Sequence, residues 1–339
     1  MATDRETSGE ATGRRRVVVN GVRVRTVDVH AHCAVPEAVA LFESATGRKV
    51  ALSDALLPSD GARLRAMDDQ GIDVEALSIN PFWYGAEREL AQELITIQNE
   101  RLAEFCASEP ERFVAFATVA LQHPDLAATQ LDDGMRRYGL RGVSIGGSVE
   151  GRELAHSDFH PFWAKAEELG VLVFIHPQGC AELSATGRLR GNGVLDNVIG
   201  NPLETTIALS HLIFEGTLDR FPGLRILAAH GGGFLPSYAA RSDAGCRTFP
   251  GLCTPPGTLA KAPTEYLRQL YYDTIVFTAE ALRHLAAETG TTQLMMGTDY
   301  PYPWTRTAVD HILETPDLSD DDRVAILGGT AAKLLGLGE

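Results

Sequence analysis

The chain has 339 residues, 44% of them hydrophobic and 22% charged, an ordinary globular composition with enough apolar material for one large core. Its formal charge of −15 leaves no basic stripe for phosphates, which argues against a nucleic-acid or anionic-membrane partner. No apolar run reaches the length of a membrane span, and Met1–Arg16 lacks the apolar centre of a signal peptide, so a cytoplasmic protein is expected.

Met1–Gly13 is rich in Thr, Gly, Glu and Arg without a hydrophobic pattern and reads as a disordered tail, leaving 14–339 as a single domain. Arg14–Gly21 leads into a first strand over Val22–Val29 that ends in His30-Ala-His32. Residues two apart on an extended chain point the same way, so two imidazoles project side by side, the spacing two ligands of one metal ion need. Cys33–Pro58 reads as a long irregular insertion covering that end, and Ala62–Gln70 as a short helix stopped at Gly71.

An alternation follows. Strand Asp73–Ile79 leads through the aromatic loop Pro81-Phe82-Trp83-Tyr84 to helix Ala86–Ser108; strand Phe113–Val119 leads to helix Asp125–Tyr138. Strand Gly142–Ile145 precedes helix Phe159–Leu169. Strand Val171–Ile175, apolar throughout as a strand covered on both faces must be, precedes the loop Pro177–Asn201 and helix Pro202–Glu215. Strand Leu224–Ala229 with helix Phe234–Arg241, strand Leu270–Ile275 with helix Ala279–Thr289, and strand Gln293–Gly297 complete the pattern. Two terminal helices lie near Thr305–Glu314 and Asp320–Leu335. Eight strands alternating with helices predict an α/β fold, a (β/α)8 TIM barrel with a small insertion after strand 1 and C-terminal helices.

In such a barrel the active groups sit where the strands end, on one rim. His30 and His32 end strand 1, His176 strand 5, His230 strand 6 and Asp299 strand 8. Three imidazoles and a carboxylate suit one divalent ion, zinc first and manganese second. The other histidines read as background, with His123 in a His-Pro turn, and Glu204 as an acid favoured by a helix N-terminus. None of the four lysines ends a strand, which favours one metal over a lysine-bridged pair. The five cysteines, with no C-x-x-C spacing, read as reduced thiols. Phe82, Trp83 and Tyr84 are placed to stack on a flat unsaturated acid.

With these residues assembled, the chain resembles the amidohydrolase superfamily. The resemblance is greatest to its branch of metal-dependent decarboxylases that contains 2-amino-3-carboxymuconate-6-semialdehyde decarboxylase and related aromatic-acid decarboxylases. It rests on Val-Asp-Val-His30-Ala-His32, Arg63-Leu-Arg-Ala-Met67-Asp68, Phe174-Ile-His176-Pro177, Gly200-Asn-Pro-Leu-Glu204-Thr-Thr206, Ala229-His230-Gly-Gly-Gly233 and Met296-Gly-Thr-Asp299-Tyr-Pro301-Tyr302-Pro303. The resemblance implies that His30, His32, His176 and Asp299 bind the metal and that His230, paired with Asp299 for proton transfer, activates a metal-bound water. It also implies that Arg241 reaches a substrate carboxylate from a partner subunit, which calls for a homodimer. Tyr302, Phe82 and Trp83 are the further candidates for substrate contact. The chain departs from the muconate enzyme in its shorter insertion, where only Arg48 and Lys49 are offered, and at Asn197, where an aromatic residue is usual. The implied activity is non-oxidative decarboxylation of an unsaturated or aromatic acid. Hydrolysis of an ester, lactone or amide by the same groups is the alternative.

Overall fold

A computed structural model describes residues 13–57, 61–253 and 259–338. The expected tail lies outside the described residues except for Gly13. A short antiparallel ribbon, Val18–Val19 with Val22–Arg23, precedes the barrel. The barrel strands are β1 (Val27–His32), β2 (Val74–Ser78), β3 (Phe113–Ala115), β4 (Gly142–Gly146), β5 (Leu172–His176), β6 (Arg225–Ala228), β7 (Tyr271–Asp273) and β8 (Leu294–Met295).

All neighbouring pairs are parallel, in the orders β1-β2-β3 and β4-β5-β6-β7-β8. Two parallel bridges join these sheets, Ala117 to Val143 and Ala31 to Tyr300. Backbone bonds from Val29 N to Met296 O and from Asp299 N to His30 O continue the second seam. The eight strands therefore close into the barrel the alternation predicts.

Strand alternation divides the core in two. Val27, Val74, Ala76, Phe116, Leu172, Phe174, Leu227 and Ala229 form an inner cluster, sealed at one end by Ala331 and Leu335 of the last helix. The opposite parity, including Leu77, Val173, Ile175 and Ile226, packs against the surrounding helices in a larger cluster. Strand β1 breaks this alternation. Val27 is partnered with Val74 and His32 with Ser78, with a register shift between Asp28 and Ala31. Six residues on β1 thus match five on β2, and the extra one turns His30 and His32 to the inward side that Val27 already occupies.

Two expectations are corrected. The insertion after β1 is not irregular, because Pro36–Thr46 is helical. Proline opens that helix, Ala38, Val39 and Phe42 form its buried face, and Gly47 at φ 70° ends it. The cysteines are not all free: Cys246 and Cys253 are disulfide-bonded with Cα atoms 5.1 Å apart, because the chain turns back after helix Leu235–Thr248. Cys33, Cys106 and Cys180 are free thiols. Among the described residues no helix is long and apolar enough to cross a membrane.

Behind β1 and β2 lies a fully buried ion pair. Arg63 donates to Glu75 at 2.9 Å and to the His32 carbonyl at 2.6 Å, with its guanidinium 4.5 Å from the centre of the Tyr300 ring. Removing one partner leaves a buried charge uncompensated, so Glu75→Gln is expected to cost about 3–5 kcal/mol in urea unfolding. The double change Arg63→Met with Glu75→Leu is expected to cost less than the sum of the two single changes.

Candidate metal centre

The inward end of β1 places His30 and His32 with Nε2 atoms 3.1 Å apart. Asp299 Oδ1 lies 2.9 Å from His32 Nε2 and 3.3 Å from His30 Nε2. The His176 ring centre is 4.6 Å from that of His32 and 5.0 Å from that of His30. One nitrogen or oxygen from each of His30, His32, His176 and Asp299 falls within 4.8 Å of all the others, and all four residues are buried.

The outer nitrogens decide what the inner ones can be. His30 Nδ1 meets Asp273 Oδ2 at 2.6 Å. His32 Nδ1 lies 3.2 Å from Ser78 Oγ, whose own hydrogen goes to the Ala31 carbonyl. Both Nδ1 atoms are therefore the donors, and each ring presents a lone pair at Nε2 once that nitrogen carries no proton. Two lone pairs and a carboxylate oxygen converging at about 3 Å repel one another unless positive charge lies between them. The donor set fits a divalent cation bound by nitrogen and oxygen.

Titration reflects the same crowding. Burial works against a charged His30, but Asp299 and Asp273 outweigh it and raise this imidazole to about 10. Burial pushes His32 down to about 4 and His176 well below the ordinary histidine value. Asp299 would be raised by burial, yet the charge of His30 and bonds from His230, His30 and His32 hold it below the usual carboxylate range.

His230 stands beside this group, with Nε2 3.7 Å from Asp299 Oδ2. Its φ of 54° and that of Asp299, 64°, lie in the left-handed region, unusual for residues with a side chain. Gly231, Gly232 and Gly233 follow at φ 61°, 78° and 65°, and a Cβ on Gly233 would sit 2.1 Å from the Pro202 carbonyl oxygen. The glycine run is thus the means by which the chain turns sharply off β6 beneath helix Asn201–Phe214.

A cavity of about 390 Å³ opens on His32, His176, His230 and Asp299. An adjoining one of about 640 Å³ shares His230, Asp299, Asn197, Asn201 and Trp304 with it. The insertion contributes Val50 and Leu52 to the first cavity.

The structure brings His30, His32, His176, Asp299 and His230 together and separates the substrate candidates. Phe82 and Tyr302 line the first cavity. Trp83 does not reach it: the ring is fully buried and its Nε1 donates to the Val119 carbonyl at 2.9 Å. Its ring packs in the helix-facing core cluster, edge-on to Phe82 and Tyr84. Tyr84 is half-buried and does not line the cavity, its hydroxyl accepting from Gly146 N at 3.2 Å. Arg241 is exposed on helix Leu235–Thr248 and lines neither cavity. His123 lies 3.1 Å from the Ala86 carbonyl, away from the centre. Glu204 does more than face a helix N-terminus: it accepts from Gln178 N, Gly179 N and Ser148 Oγ, tying the loops after β4 and β5 together.

Sequence reasoning missed Asp273. Its Oδ2 takes His30 Nδ1 and, at 2.8 Å, His230 N; its Oδ1 takes Gly231 N at 2.9 Å and Ile275 N at 3.1 Å. The signal was its place at the end of β7. Asparagine can accept on only one of those two sides, so Asp273→Asn is expected to weaken metal binding about 10- to 100-fold. Metal titration with a melting curve as the folding control measures it.

A model of the family described as Amidohydrolase matches residues 27–337. The chain is 30% identical over 278 residues to the 2-amino-3-carboxymuconate-6-semialdehyde decarboxylase of Dictyostelium discoideum, covering 81% of this chain and 76% of that one. Its fold is similar to that of 5-carboxyvanillate decarboxylase from Sphingomonas paucimobilis, with TM-score 0.84, 25% identity, and 93% and 100% of the two chains covered. It is similar also to a dihydroxybenzoic acid decarboxylase from Polaromonas sp. JS666 with bound manganese and the inhibitor 2-nitroresorcinol. There the TM-score is 0.81, with 26% identity and 93% and 98% coverage.

Proposed function

Because the chain belongs to the amidohydrolase family, we propose from its rim of ligand-type groups that it is a metal-dependent, non-oxidative decarboxylase of a small aromatic or unsaturated carboxylic acid. The observation that carries this reading is the convergence of His30, His32, His176 and Asp299 at a cavity shared with His230. The three relatives are named as decarboxylases, which favours a lyase over a hydrolase.

His30, His32, His176 and Asp299 would hold one divalent ion. Zinc is our first assignment from the nitrogen-rich donor set, and the manganese of the Polaromonas relative supports manganese as the second. When bound, such an ion orients the acid and stabilises the negative charge that develops as carbon dioxide leaves. The carbon–carbon bond breaks with its electron pair left on the substrate carbon, and a proton must take the place of carbon dioxide there. His230 and Asp299 are the titratable pair at the cavity able to hold and move that proton. Phe82 and Tyr302 would contact the flat body of the acid. Arg241 would act on the carboxylate of a second copy's substrate, in a cytoplasmic homodimer of single-domain subunits spanning 14–339.

The test is carbon dioxide release from hydroxybenzoates and muconate-type acids by protein loaded separately with zinc and manganese. In deuterated water the product is expected to carry one deuterium at the vacated carbon for each carbon dioxide released. Formation of a new carboxylate from an ester or lactone, with no carbon dioxide from any acid, would overturn the reading.

A further inference from the structure

The two cavities that meet at His230 and Asp299 differ in chemistry. The first mixes histidines and carboxamides with apolar groups, while the second is walled by Val198, Pro202, Phe234, Ile275, Phe277 and Trp304. No lysine or arginine lines the second among the described residues. Three of its wall side chains keep open surface: Phe277 is 55% exposed, Trp304 41% and Val198 40%. Apolar surface left open beside a reactive centre marks a ligand groove. Phe277 adds an independent sign. Its φ of 62° is left-handed backbone, which strains a bulky side chain. Bonds from Val276 N to the Thr274 carbonyl and from Thr278 N to the Val276 carbonyl, each 2.9 Å, hold that turn. The turn puts the ring at the cavity wall, 6.0 Å centre to centre from Trp304, and not in the core. Strain that exposes an aromatic ring brings folding no gain, so its reason lies in what the ring meets.

We infer that the substrate acid carries an uncharged apolar chain of several carbons, seated in the second cavity against Phe277 and Trp304 while the carboxylate lies at the metal centre. The inference rests on the decarboxylase reading and narrows its substrate class. Because the cavities share His230 and Asp299, a group in the second can be bonded to one in the first. The first, at about 390 Å³, is large enough for the acid and its ring. The second adds about 640 Å³ that such an acid alone leaves to water. A charged substituent there would be desolvated without a cation to pair it. An alkyl chain instead removes apolar wall and its own surface from water together.

The experiment uses the full-length, manganese-loaded protein and hydroxybenzoates carrying a methyl, propyl or pentyl chain at each free ring position. Calorimetry gives affinity, and carbon dioxide release gives kcat/KM. Complete burial of a methylene is worth about fourfold, and in a cavity open on one side about twofold is the lower bound. At the favoured ring position, affinity is therefore expected to rise at least about 15-fold from methyl to pentyl. Ala281 lines the second cavity from helix Ala279–Thr289, and Ala281→Phe is expected to bring the pentyl acid down to the affinity of the methyl acid. Phe277→Gly serves if that variant fails to fold. It is expected to weaken the pentyl acid about 10-fold with no fall in melting temperature, because glycine takes this φ freely. A flat series at every ring position overturns the inference. If Phe277→Gly then also splits a dimer, the open face belongs to a second copy of the chain. A chain-length gain that survives in both variants overturns it too, since the chain would lie elsewhere. The expected gain in affinity without carbon dioxide from any acid would sink the decarboxylase reading and leave the chain site standing. No binding by any of the acids would overturn both.

Discussion

Asp299→Ala is expected to lose its metal and its turnover together, because this one side chain faces two tasks. Its Oδ1 lies 2.9 Å from His32 Nε2 and 3.3 Å from His30 Nε2, inside the ligand group, while Oδ2 points toward His230 Nε2 at 3.7 Å. Loss of a proton-transfer group alone costs about 10²- to 10⁴-fold in kcat. Removing the only carboxylate of the ligand group adds loss of the ion, so decarboxylation should fall below detection at substoichiometric metal. Elemental analysis after gel filtration, beside a carbon dioxide assay, reads both effects. Stoichiometric metal in Asp299→Ala would remove this residue from the ligand set. The wild-type protein offers a companion measurement. With Asp273 fixing the proton on Nδ1, His30 must shed the Nε2 proton that it otherwise keeps up to about pH 10 before it can ligate. Metal uptake at neutral pH should therefore release that proton, and affinity should fall about tenfold per unit as pH drops.

The parts of this centre legible in the sequence were those that strand ends announce. Apolar runs closed by His176, His230 and Asp299 are visible because a strand buried on both faces leaves few polar positions except at its end. His30 and His32 were visible through their two-residue spacing. Their direction was not: counted strictly from Val27, both should face the helices, and only the extra residue between Asp28 and Ala31 turns them to the barrel axis. A bulge is set by pairing with β2, which local pattern does not encode. Asp273 carried the same strand-end signal as Asp299 but no neighbouring motif. Its role depends on three backbone N–H groups and an imidazole brought in by folding. Trp83 misled because an aromatic run near a rim looks alike whether its rings face the cavity or the helices. The helix Pro36–Thr46 was legible in principle from Pro36 at its start, Phe42 on its buried face and Gly47 at its end.

His230→Ala separates the two tasks that Asp299 combines, and the expected result is a full metal complement with kcat lowered about 10²- to 10⁴-fold. The ring is outside the four-residue ligand group, and its Nδ1 makes no hydrogen bond among the described residues. Truncation therefore removes a titratable group from the cavity while the ion keeps all its ligands. The backbone consequences are small for a specific reason. The bond from residue 230 N to Asp273 Oδ2 survives any side-chain change. Alanine meets at φ 54° the same left-handed penalty that histidine already bears, so the glycine turn below it gains no new strain. The defect should appear in kcat with KM little altered, and added imidazole should restore part of it, because truncation leaves ring-sized space beside the cavity. Retention of wild-type turnover would return the proton to Asp299 alone. Loss of metal would instead make His230 a fifth ligand, and the division of labour drawn from the 3.7 Å separation would be wrong.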